Sequence, residues 1–301
     1  MLNKVPQRMP YHRTPSLGVL IAGLAVIFGS ALWLALNTVG EIRYTADHAG
    51  TRPMWHVWIP ALVGLALTRL TPLPSRAAPV DGAPAPRELH RQAGALLASA
   101  VLFAAALRIV TDNGYDAEPA HTILKLVLLL AVPVLVFRLT RHGATRREPV
   151  RGRIEAWRRY GPVVPVAAWL VLHHAGPFAR PPGDNAWAAD SGPAALLITM
   201  IVGFAVNALL EEVFYRRWLQ TRWEHVIGRW PAIVLTSLSF AAWHIGIHGT
   251  GHLLTDLTSV FVHQGVLGLF LGYLWSRYRL MWPILTVHGA INAAPVLLDM
   301  L

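Results

Sequence analysis

The sequence predicts an all-α, polytopic transmembrane helix bundle of about eight or nine spans. Three observations lead there. Of the 301 residues, 54% are hydrophobic and only 14% charged. Mean hydropathy is positive. Apolar runs near the ~20 residues that cross a bilayer recur along the whole chain. The absence of cysteine excludes disulfides, thiolate metal sites and cysteine nucleophiles. The net charge of +10 comes from 24 Arg and 2 Lys against 16 acids, and the arginines fall in short loops between apolar runs. That placement makes membrane lipids, not nucleic acid, the expected partner.

In chain order, apolar stretches at 16–39, 54–70, 92–110, 121–140, 160–176, 193–215, 230–247, 256–276 and 280–299 mark nine candidate spans. The first follows a basic N-terminus, as a signal peptide would, but it is too long for an h-region and lacks a small-residue cleavage site, so it is read as retained. The fifth is the weakest, because it is short and Pro162, Pro165, His173 and His174 interrupt it; without it eight spans remain. The Pro- and Ala-rich stretch 70–86 reads as an inner linker. The basic stretch from Arg138 to Arg159 divides the chain near residue 150, into an N-terminal region of four spans (1–150) and a C-terminal part (151–301) where polar groups accumulate. No internal repeat of the transporter kind is visible. With the N-terminus in the cytoplasm, 21 of the 26 basic residues fall on the inner side and five (Arg43, Arg52, Arg108, Lys125, Arg180) on the outer. The expectation is a multi-pass protein of the plasma membrane with its C-terminus outside.

Span six places two adjacent carboxylates, Glu211 and Glu212, directly after an apolar run. A carboxylate at such a depth costs about 2.5–3.5 kcal/mol on insertion scales, so it faces a partner or a water-filled cavity. Asn207 and Glu211 are i,i+4 and share a helical face; Glu212 and Arg216 share another. Glu212 is therefore expected to pair with Arg216. Glu211, with Tyr215 at i+4, keeps its charge for chemistry. Span seven ends in Phe240 and His244, and span nine carries His288 and Asn292, again i,i+4 pairs. Gly228 is the best turn residue between spans six and seven. Glu211 precedes it by 17 residues and His244 follows by 16, so at about 1.5 Å per residue a hairpin pivoting there sets both at one level, some 24–26 Å from the tip. This requires helix six to continue beyond the membrane through Arg217 and Arg222.

Glu-Glu-x-x-x-Arg at 211–216, Phe-x-x-x-His at 240–244 and His-x-x-x-Asn at 288–292, in that order on separate apolar helices, resemble the CAAX-protease and bacteriocin-processing family of intramembrane proteases. The resemblance covers roughly residues 150–301. Each motif alone is weak, and three in order are strong. The resemblance implies an endopeptidase in which Glu211 with His244 holds and deprotonates the attacking water, while His288 and Asn292 steady the developing oxyanion. Glu212, Arg216 and Phe240 would support them structurally. General chemistry agrees, since a carboxylate and an imidazole can share a water proton and an amide can donate to an oxyanion. Glu211, His244 and His288 are also an acceptable shell for a divalent metal such as zinc, although no His-Glu-x-x-His helix is present; the sequence leaves this open. The substrate would be a peptide or membrane protein, and prenylation of it is not implied for this chain. The rival class is a non-catalytic membrane protein, transporter-like or partner-binding, whose polar cluster is structural. Of the other histidines, His173, His174, His248 and His252 are expected at the interface, and His263 is placed to line a cavity.

Overall fold

The computed structural model describes residues 13–45, 48–71, 85–115, 117–140, 156–175, 177–178, 192–248 and 252–299. Most of the expected linker, 72–84, and of the basic stretch, 141–155, lie outside the described residues.

Each apolar run forms a helix. α1 is Arg13–Asn37, α2 Trp55–Leu70, α3 Pro86–Asp112 and α4 Glu118–Leu139. A short α5, Ala156–Tyr160, precedes α6, Val163–Ala175. The long α7, Pro193–Ile227, leads to α8, Arg229–Ile247, and α9, Leu253–Tyr278; α10 is Met281–Asp299. Six of these (α1, α3, α4, α7, α8 and α9) are long and apolar enough to cross a membrane by length and composition, whereas α2 and α6 are shorter apolar helices. The chain is a multi-pass, all-α membrane bundle.

One departure from all-helical structure lies between α1 and α2, a stretch expected to be an outer loop. Strands β1, Glu41–Thr45, and β2, His48–Pro53, pair antiparallel. Val39 and Gly40 turn the chain with positive φ at its base. Ile42 lies opposite Arg52 in the register, and both are buried. The hairpin therefore presents one face to the bundle, and Arg52 is part of the interior. Strands this short and polar carry too little alternation to be told from a loop.

The bundle closes through small residues. Lipid tails are as apolar as leucine, so helices in a membrane associate where small side chains let them pack closely. A Cβ added at Gly64 of α2 would meet the Phe270 ring of α9 at 2.6 Å. One at Gly246 of α8 would meet Leu107 of α3 at 2.6 Å, and one at Gly268 of α9 would meet Ser237 of α8 at 2.9 Å. α9 is the central helix, with 72% of its apolar window buried, whereas the apolar window of α7 is 11% buried and its continuation through Glu211, Phe214, Tyr215 and Leu219 lies in the interior. One apolar cluster surrounds Phe270, Leu274 and Trp169. A second joins Phe103 and Leu107 to Phe214, Tyr215, Phe240 and Trp243. Helices from both halves of the sequence thus build common cores.

The pivot expected at Gly228 is present. α7 runs unbroken to Ile227, Gly228 turns with φ +89°, and α8 begins at Arg229. A Cβ there would meet open space, so glycine serves the backbone conformation and not packing. The extension of α7 past its apolar part is packed. Arg222 donates to Gln92 at 2.8 Å, the Trp223 indole donates to the Ala93 carbonyl at 3.1 Å, and Arg279 pairs with Glu224.

Candidate active site

α7 changes pitch around the carboxylates. Its backbone widens into π-type turns at Phe204–Leu209 and Val213–Gln220, on either side of Leu210–Glu212. Similar turns begin at Lys125 in α4, span Val171–Ala175 in α6 and occupy Phe261–Gly265 in α9. Four of these five segments contain a polar residue that lines one shared cavity: Lys125, His173 with His174, Asn207, and His263 with Gln264. Wide turns of this kind break the regular hydrogen-bond ladder and concentrate at functional sites. The cavity has a volume of about 890 Å³ and is also lined by Glu211, His244, His288 and Asn292. That size suits a peptide segment or similar ligand.

Glu211 and Glu212 are both almost completely buried and face different partners. Glu212 Oε1 lies 2.7 Å from His288 Nδ1, and Glu212 Oε2 lies 3.4 Å from Arg216 Nε. The Arg216 guanidinium sits 4.3 Å above the Phe240 ring. The i,i+4 pair is thus joined by a second helix, because α10 delivers His288 to the same carboxylate. An Nδ1–H bond to Glu212 orients the imidazole and turns Nε2 toward Glu211, whose Oε2 is 4.0 Å away. That gap is too long for a direct hydrogen bond and suits a bridging water.

His244 stands where α8 breaks. Its amide hydrogen-bonds to Ala241, three residues back, at 3.0 Å, and its ring Nδ1 lies 3.0 Å from the Phe240 carbonyl. A carbonyl accepts, so Nδ1 carries the proton and Nε2 is the acceptor nitrogen. The Phe240 ring packs edge-on against both His244 and His288, at 5.0 and 5.8 Å between ring centres. Asn292, one turn beyond His288 on α10, is exposed and lines the cavity. The structure therefore brings Glu211, His244, His288 and Asn292 to one cavity that Phe240 also lines, with Glu212 and Arg216 behind them.

Residues 193–294 match the family described as Type II CAAX prenyl endopeptidase Rce1-like. The matched segment runs from the start of α7 into the last turns of α10 and contains all three motifs. No curated protein and no solved structure matches the chain. Residues 193–294 are thus similar to an Rce1-like CAAX endopeptidase domain, set in a multi-pass membrane protein.

Outside the matched segment, the structure brings Lys125, Arg52, His173 and His174 to the cavity, none of which the sequence placed there. Lys125 of α4 is fully buried, and its ammonium donates to Glu211 Oε1 and, at 2.7 Å, to Asn207 Oδ1. It also lies 4.6 Å from the Trp243 ring centre. Counting Lys125 as an outer-loop charge was wrong, and so was leaving Glu211 without a cationic partner. The signal was present, since an ionisable residue inside an apolar run is a functional candidate by default. Arg52 was likewise counted as a loop charge, whereas its guanidinium lies 3.0 Å from His263 Nε2 at the cavity wall. His173 and His174 line the cavity instead of the interface, with His173 stacked on Trp169 at 4.5 Å. His263 lines it as expected.

As arranged, these side chains do not form a metal shell. Glu211 holds an ammonium on one oxygen, and His288 Nε2 lies 4.0 Å from its other oxygen. Among the described residues no group of three His, Asp or Glu is placed to hold an ion.

Proposed function

We propose that the protein is an intramembrane endopeptidase of the CAAX-protease and bacteriocin-processing type, hydrolysing a peptide bond with water activated by Glu211 and His244. The observation that carries this reading is the convergence of the three family motifs on one cavity, from three helices of an Rce1-like domain.

The arrangement of the site supports the following chemistry. Water held between Glu211 Oε2 and His244 Nε2 loses a proton to the carboxylate as its oxygen attacks the scissile carbonyl carbon. The carbonyl π electrons move to oxygen, and the oxyanion is met by the Asn292 amide and by His288. To donate from Nε2 while Nδ1 is bonded to Glu212, His288 takes the imidazolium form, and Glu212 balances that charge. Collapse of the intermediate breaks the C–N bond, and the proton held by Glu211 passes to the departing amine. The proposed general base and oxyanion donors line the same cavity, with His288 Nε2 4.0 Å from Glu211 Oε2, and can act on one carbonyl.

Residues 151–301 form the proteolytic core in this reading, and 1–150 contribute the four spans that close the cavity and lend it Lys125. The substrate is a peptide bond of a membrane-associated peptide or protein. The N-terminus lies in the cytoplasm and the protein in the plasma membrane. Setting aside the buried cations Arg52, Lys125, Arg216 and Arg277 leaves the excess of basic residues on the same side.

The Lys125–Glu211 pair is the observation that favours the non-catalytic alternative, because a neutralised carboxylate can be purely structural. Purified protein in detergent, incubated with a peptide library and read by mass spectrometry beside Glu211→Ala, decides between them. Cleavage by the wild type and none by the variant supports the peptidase. Equal product from both, or none from either, assigns the cluster to structure.

A further inference from the structure

The chain contains 24 arginines and two lysines, yet the cation placed against the candidate general base is a lysine. An ammonium is a compact point charge with three donors, whereas a guanidinium is a planar fork suited to two parallel bonds. The site at Lys125 demands the compact form. One nitrogen reaches Asn207 Oδ1 at 2.7 Å and Glu211 Oε1 and lies over the Trp243 ring at 4.6 Å. These three partners come from two helices, and the lysine comes from a third. Lys125 thus ties α4 to α7 beside Glu211 and to α8 beside His244. It occupies one carboxylate oxygen and leaves the other, Oε2, directed at His288 and without a hydrogen-bond partner.

We propose that the Lys125 ammonium is a positioning group of this site, which fixes the Glu211 carboxylate through Oε1 and leaves Oε2 toward the reacting water. The proposal rests on the proteolytic reading of the cavity. It assigns the first half of the chain a role in the chemistry, since a protein containing only 151–301 lacks this cation.

The test uses the full chain in detergent, with the peptide cleaved by the wild type as probe, and compares Lys125→Met, Lys125→Arg, Lys125→Ala and Glu211→Gln. Lys125→Met is expected to lower kcat about 100-fold or more while KM stays within about threefold, since the substrate does not touch the lysine. Lys125→Arg should not recover it, because the fork does not reproduce the three contacts. Propylammonium, which replaces the atoms removed in Lys125→Ala, should restore kcat about tenfold or more, and 1-propanol should not. A zinc chelator should leave wild-type activity within about twofold. In thermal unfolding, Lys125→Met and Glu211→Gln should each lower the midpoint, and the double variant should regain most of the loss. Undiminished kcat in Lys125→Met, a folded Lys125→Ala that propylammonium cannot revive, or wild-type activity abolished by chelation and restored by zinc overturns the proposal. So does an additive double variant. A wild type that cleaves no peptide refutes the proteolytic reading instead, and the thermal cycle still decides whether Lys125 is the partner of Glu211.

Discussion

Replacing Glu212 by glutamine separates the structural carboxylate from the reactive one. Glu212 is fully buried between His288 Nδ1 at 2.7 Å and Arg216 Nε at 3.4 Å. Glutamine keeps the volume and still offers an oxygen to His288, so the imidazole keeps its orientation. Arg216, itself 1% exposed, loses its counter-charge. Removing one member of a buried pair costs about 3–5 kcal/mol. The guanidinium keeps its place 4.3 Å above Phe240 in both forms, so that contact does not change the difference. A loss of about 3–5 kcal/mol corresponds to a fall of roughly 6–20 °C in the unfolding midpoint for a chain of this order. Activity per folded molecule should fall only about tenfold, because His288 keeps its orientation and loses only the counter-charge of its imidazolium form. Membrane-extracted protein is assayed by thermal unfolding and by cleavage normalised to folded protein. Glu212→Gln combined with Arg216→Met should recover most of the midpoint, because both charges then leave the interior together. A double variant no more stable than the singles, or a Glu212→Gln as inactive as Glu211→Gln, refutes the division of labour between the two carboxylates.

His244→Ala should lower kcat about 10²–10⁴-fold and Asn292→Ala about 10²–10³-fold, with unfolding midpoints close to wild type; single-turnover cleavage measures both. Gly64→Ala drives a methyl to 2.6 Å from the buried Phe270 ring and should cost about 1–3 kcal/mol, read as a lower midpoint without a change in KM. Reporter fusions at the two termini should place the N-terminus inside and the C-terminus outside. Both termini on one side would remove one helix from the spanning set, with the 13-residue α6 the first candidate.

The spans were legible because a bilayer imposes a length, and a run such as 16–39 or 256–276 has no other use for so much apolar surface. The depth of the candidate site was legible for a similar reason. Glu211 and His244 lie almost equally far along the sequence from a glycine that turns with φ +89°, and helical rise converts residue counts to height. Faces were harder. The i,i+4 rule named Arg216 as the partner of Glu212 and found it, but it could not name His288, which reaches the same carboxylate from another helix. The β-hairpin escaped because its strands have only five and six residues, too few for an alternating pattern to stand out. Arg52 and Ile42 could be recognised as interior only once their register was known.

Lys125 shows where sequence reasoning stopped one step short. Assigning boundary charges to the nearer loop places a lysine four residues from His121 outside the membrane, and the count of basic residues then reads it as orientation. Its surroundings argue otherwise, since Leu124-Lys125-Leu126-Val127-Leu128-Leu129-Leu130 offers an ammonium nothing to bond to within its own helix. A charge in such a run must reach across the bundle for a partner or be excluded from it. The partner had to be acidic and at the same depth, and among the apolar helices the adjacent Glu211 and Glu212 were the acids already set apart. Glu212 had Arg216 at i+4, which left Glu211. Partnering each intramembrane charge before counting loop charges would have joined α4 to α7 from sequence, and with it the first half of the chain to the site.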